Sequence, residues 1–113
     1  MSGVLILRES PGPEQLKELL TVFETFVKLA VDIRREMVAT GGEMYADCEE
    51  ALLEDGSRQE DVWGADWVPS DRTVRFESLI NIRPRQSNSA MEIQDPVRRT
   101  QVEQVVRRVF EGV

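Results

Sequence analysis

The sequence predicts a single α+β domain in which a mixed, largely antiparallel sheet of about five strands packs against three helices in the order βαββαββα. Three observations predict it. The chain has 113 residues, enough for one domain that buries a sizeable core without disulfide staples. Its apolar residues alternate between strand-like and helix-like spacing. Breakers such as Pro11-Gly12-Pro13, Gly41-Gly42, Gly56, Pro84 and Asp95-Pro96 separate the segments, and no repeat, linker or low-complexity stretch divides the chain.

Val4-Leu5-Ile6-Leu7 is a short apolar run closed by a turn at Arg8 to Pro13, and reads as a buried first strand. Pro13 suits the first position of a helix whose inner stripe runs through Leu16, Leu19, Leu20, Phe23 and Val27, with Glu14, Lys17, Glu18 and Glu24 opposite. Between Val27 and Thr40 the spacing fits either a continuing helix or two strands. The β-branched Val27, Val31, Ile33 and Val38 favour strands over Lys28 to Ile33 and Glu36 to Thr40, joined by a hairpin at Arg34-Arg35. After Gly41-Gly42, Met44, Cys48, Ala51 and Leu52 mark one face of a second helix that Gly56 stops. Val62 to Val68 and Thr73 to Ile82 read as a second hairpin around Pro69-Ser70-Asp71-Arg72. Trp63 and Trp67 project to one face of its first strand, with Ala65 between them. Pro84 opens a polar loop over Arg85 to Ala90, and Asp95-Pro96 caps a last helix with Val97, Val102, Val105, Val106 and Val109 inward. Glu103 stands four residues from both Arg99 and Arg107 for surface pairing.

A net charge of −7 with no histidine opposes phosphate-driven nucleic-acid binding. The single cysteine, Cys48, excludes an intramolecular disulfide framework and a multi-cysteine zinc site, and suits a reducing compartment. Its neighbours Asp47, Glu49 and Glu50 raise rather than lower a thiol pKa, so it reads as a small buried side chain. No run approaches the roughly 20 apolar residues of a membrane span, and no signal-peptide pattern opens the chain. The expectation is a soluble, unprocessed cytoplasmic protein that binds neither nucleic acid nor membrane.

The segments Ala39-Thr40-Gly41-Gly42-Glu43, Leu52 to Asp61, Trp63-Gly64, Ser78 to Pro84 and Asp95-Pro96 together resemble a small prokaryotic family of about 110 residues known only as a domain of unknown function. The resemblance covers nearly the whole chain and implies no activity, substrate or site. The family has a His where this chain has Tyr45, and a loop richer in Gly and Arg where it has Ser87-Asn88-Ser89. A mechanism that needs an imidazole at the start of the second helix is therefore closed to this chain.

Two constellations are candidate sites. The carboxylates Asp32, Glu43, Asp47, Glu60, Asp61, Asp66 and Glu77 include oxygen ligands suited to a hard cation, with Glu43, Asp47, Glu60 and Asp61 foremost, although no calcium-loop spacing is present and the bland reading is a solvated acidic face. The second constellation is Asn81, Arg83, Arg85, Gln86 and Asn88, forked donors matched to a small anionic ligand, with Trp63 as an aromatic floor. Its bland reading pairs Arg83 with the acids of the Glu60-Asp61 turn and locks the second hairpin to the second helix. No serine has an activating base or a nucleophile elbow, Gly41-Gly42 reads as a turn, and no cofactor fingerprint appears. These features favour a non-catalytic binding or interaction module that self-associates. The competing reading is a carboxylate-dependent, divalent-metal-assisted hydrolase of a phosphorylated small molecule, and whether the chain is an enzyme stays open. Convergence of Glu43, Asp47, Glu60 and Asp61 on Arg83 and Asn88 around a cleft would mark a site.

Overall fold

A computed structural model describes residues 4–20 and 25–111. In chain order they form β1 (Leu5–Leu7), α1 (Pro13–Leu19), β2 (Val27–Asp32), β3 (Met37–Thr40), α2 (Tyr45–Glu54), β4 (Val62–Val68), β5 (Thr73–Arg75) and α3 (Pro96–Val109). The order is the expected βαββαββα. The strands lie β1-β3-β2-β4-β5 across one five-stranded sheet. Every neighbouring pair is antiparallel, so the mixture of directions expected from the sequence is absent among the described residues.

The ambiguous segment after Val27 is a hairpin, and Asp32 is the reason. One carboxylate oxygen accepts the backbone N–H groups of Arg34 and Arg35, both at 2.9 Å, and the other accepts the Ser57 hydroxyl at 2.6 Å. This side-chain turn, with Glu36 at a φ of 54°, reverses the chain before a helical turn could close. The first helix is shorter than its apolar stripe suggests. It ends at Leu19, and Val27 opens β2 rather than closing the helix; Phe23 lies outside the described residues.

The period-2 alternation sorts the strands into two faces. Leu7, Val27, Leu29, Val31, Val38, Trp63, Ala65, Trp67 and Val74 meet Leu19 of α1 and Val102, Val105, Val106 and Val109 of α3. Trp67 stacks on Phe110 with ring centroids 5.5 Å apart. The other face carries a row of small residues, Ala39, Ala30 and Gly64, in register across three adjacent strands. This flat row lets α2 approach and bury Cys48 and Leu52 against it. Both tryptophans are therefore core, and the sheet is a middle layer with α1 and α3 on one side and α2 on the other.

Two expectations about the C-terminal third are corrected. Alternation from Val74 to Ile82 predicts one long strand, yet β5 ends at Arg75 and a 3₁₀ turn follows at Leu79–Asn81. A Cβ on Gly64 would lie 2.3 Å from the Ser78 Cβ, so Ser78 fills the space over that glycine. Its hydroxyl accepts the Ile80 N–H and starts the turn. In α3, Asp95 caps the helix by accepting the Val97 N–H at 3.0 Å, as expected. Val97 itself is exposed, because it lies five residues before Val102 and so off the inward stripe. The stripe position is Arg98, whose guanidinium covers the Trp63 ring at 4.2 Å. Glu103 pairs with Arg107 at 2.8 Å, while Arg99 pairs instead with Glu92 at 3.1 Å.

Candidate functional site

Where β5 stops, β4 still presents the N–H and C=O of Gly64 outward, and Asn81 answers them. Its side-chain oxygen accepts the Gly64 N–H at 2.8 Å and its amide donates to the Gly64 carbonyl at 3.0 Å. One side chain thus makes the bond pair that a facing strand residue would make. The same amide reaches the carbonyls of Met91 at 3.0 Å and Phe76 at 3.3 Å. Asn88 does comparable work in the next loop, donating to the carbonyls of Asn81, Ala90 and Glu92 and accepting the Gln94 N–H. Both amides are fully buried, and their partners are all backbone groups of this chain.

Arg83 lies over the Trp63 ring at 4.5 Å, a ring that Arg98 also approaches. Its Nε donates to the Ile80 carbonyl, one terminal nitrogen donates to the Gln59 carbonyl and the Gln86 side chain, and the other to Glu49 and the Val62 carbonyl. A guanidinium has five N–H groups, and these contacts use all of them. The ion pair with Glu49 measures 3.0 Å, with side chains only 10% and 15% exposed. Burial lowers the Arg83 pKa, against the pull of Glu49, and raises that of Glu49, against the pull of Arg83. The partner on α2 is thus Glu49 rather than an acid of the Glu60-Asp61 turn. A cleft of about 380 Å³ beside this clamp is lined by Gln59, Arg83, Pro84, Arg85 and Gln86. Gln86 is tied to the Glu60 carbonyl and Arg83, and Arg85 is exposed on the wall.

Among the described residues none of the foremost acids pairs with Arg83. Asp61 accepts the Arg34 Nε at 2.9 Å, Glu60 lies 3.9 Å from Arg58, and Glu43 and Asp47 are exposed at the N-terminal end of α2. Among the described residues no group of three or more His, Cys, Asp or Glu is placed to hold a metal ion. Cys48 is buried under α2, which pushes its thiol pKa up.

A different pocket forms at that end of α2, which the sequence reading did not single out. Lys28, Met44, Tyr45, Ala46, Leu79, Ile80 and Met91 enclose about 240 Å³. The Tyr45 hydroxyl donates to Asp66 at 2.5 Å, and Arg75 reaches the second Asp66 oxygen at 3.5 Å. Burial, then the hydrogen bond to Asp66, pushes the phenol pKa well above its ordinary value, so the ring keeps its proton at neutral pH. Burial also raises the Asp66 pKa, opposed by the Tyr45 hydrogen bond, Arg75 and Lys28. Lys28 donates to the Glu43 carbonyl at 2.9 Å and lies 4.8 Å from the Tyr45 ring centre. In the same pocket Met44, Leu79 and Met91 are 59%, 69% and 42% exposed. One signal in the sequence pointed here: Asp66 sits inside a strand on the face that carries Val62 and Gly64, where a carboxylate needs a partner.

The fold and these two places define a small α+β domain with a polar clamp on one flank of α2 and an apolar pocket at its N-terminal end. No helix among the described residues is long and apolar enough to cross a membrane. The chain belongs to the family described as "Protein of unknown function (DUF5674)", which matches residues 5–109. No curated protein and no solved structure shows a significant match to it.

Proposed function

We propose that this chain is a non-catalytic binding module whose interaction site is the pocket of Met44, Tyr45, Leu79, Ile80 and Met91. The observation that carries the reading is the gathering of three large, exposed apolar side chains around one cavity. Single exposed apolar residues are ordinary, but a contiguous set around a concave, partly polar floor marks an interaction surface. The Tyr45–Asp66 pair suits binding better than catalysis. A phenol with a raised pKa donates a hydrogen bond but does not supply a base, and both Asp66 oxygens already have partners.

Leu79→Ser tests this, because the side chain is mostly exposed and its loss should change stability by no more than about 0.5 kcal/mol. Methyl-resolved NMR with p-cresol as an apolar probe should shift the Met44, Leu79 and Met91 methyls together in the wild type, with the Met44 and Met91 shifts lost in Leu79→Ser. Shifts scattered over the surface, or equal in both proteins, would remove the pocket as the site.

A further inference from the structure

We propose that the pocket seats an apolar side chain of a basic polypeptide partner, whose lysines or arginines face Glu43, Asp47 and Glu77. The inference rests on the reading of the pocket as the interaction site and adds the kind of partner. Size is the first argument. At about 240 Å³ the pocket falls below the roughly 300–1,000 Å³ of clefts that take drug-sized ligands, and fits a side-chain anchor. Two of its walls are methionines, whose unbranched thioethers adapt to anchors of different shape.

Charge is the second argument. Glu43 adjoins Met44, Asp47 adjoins Ala46, and Glu77 is close enough to raise the proton affinity of both Tyr45 and Asp66. All three are exposed, and none forms an ion pair with another described residue. The cations nearby are already committed. Lys28 is bound to the Glu43 carbonyl and the Tyr45 ring, and Arg75 to Asp66 and the Phe26 ring. The unpaired charge on the residues that flank the pocket's walls in sequence is therefore negative, on a chain whose net charge is −7. A second copy would bring the same acids against these, and a phosphate-rich surface would be repelled, whereas a basic segment would be attracted.

The test uses three short synthetic peptides with the same central leucine, flanked by lysines, serines or glutamates. Binding is followed by fluorescence anisotropy and located by NMR on the whole chain. The lysine peptide should shift the Met44, Leu79 and Met91 signals and bind about tenfold or more tighter than the serine peptide. The glutamate peptide should not bind, and the lysine advantage should fade as salt rises from about 50 mM to about 500 mM. Glu43→Gln with Asp47→Asn and Glu77→Gln should erase the advantage at an unchanged melting temperature. Equal binding of the lysine and serine peptides at the pocket would overturn the basic partner and leave the pocket reading standing. If no peptide shifts the pocket residues, the pocket reading fails together with this inference. Pocket signals that move with protein concentration alone would make a second copy the occupant and overturn the inference.

Discussion

Replacing Arg83 by alanine should be among the most damaging changes outside the apolar core. The substitution strips three backbone carbonyls, those of Ile80, Gln59 and Val62, of a donor and leaves Glu49 without its counter-charge. Removing one partner of a fully buried pair costs about 3–5 kcal/mol. Side chains 10% and 15% exposed let some water in, so the lower end, about 3 kcal/mol, is expected. In a domain of this size that lowers the melting temperature by roughly 12 °C. The deficit should also depend on pH. Burial already raises the Glu49 pKa despite Arg83, and without Arg83 it rises further. A carboxyl with a raised folded pKa contributes stability that is present below its unfolded value, about 4.3, and is lost as pH rises through the folded value. The Arg83→Ala deficit is therefore largest at neutral pH and shrinks near pH 4, and adding Glu49→Gln should recover part of it. Urea and thermal denaturation of the single and double variants at both pH values read this directly. A loss under about 1 kcal/mol that is equal at the two pH values would show an exposed pair and refute the reasoning.

Gly64→Ala should destabilise by at least about 2 kcal/mol through its clash with Ser78, and Ser78→Gly in the same chain should restore much of the loss in a denaturation assay; no rescue would mean the strain lies elsewhere. Because burial raises the Asp66 pKa, its contribution to stability should fall as pH rises from about 4 through the folded value. Asp66→Asn should flatten that part of the stability profile, and an unchanged slope would assign it to another group.

The element order was legible because breakers and periodicity agree along most of the chain. Trp63, Ala65 and Trp67 share a face wherever they form a strand, and Asp95-Pro96 caps a helix by local chemistry alone. The end of β5 was hidden, since alternation runs on through Ser78 and Ile80, and what stops the strand is Ser78 seated over Gly64, fourteen residues earlier in the chain. The clamp was half legible: an ion pair of Arg83 that locks onto the second helix was expected, but Glu49 becomes its partner only once α2 covers the sheet. The pocket was least legible. Met44, Leu79 and Met91 come from three separate segments, and no spacing in one segment reports on their meeting.

The Asn81 amide gives the sheet something that a strand cannot. A strand can slide by two residues and still keep its apolar face inward, so ladder bonding alone tolerates an error of that kind. A single carboxamide that holds both polar groups of Gly64 and the Met91 carbonyl fits one alignment only. Leu79, two residues before Asn81, and Met91, held by it, are the pocket's outer walls. The same carboxamide that indexes β4 thus also ties down the segment that carries Met91, so two of the pocket's walls are referred to the sheet although regular strand supplies almost none of them.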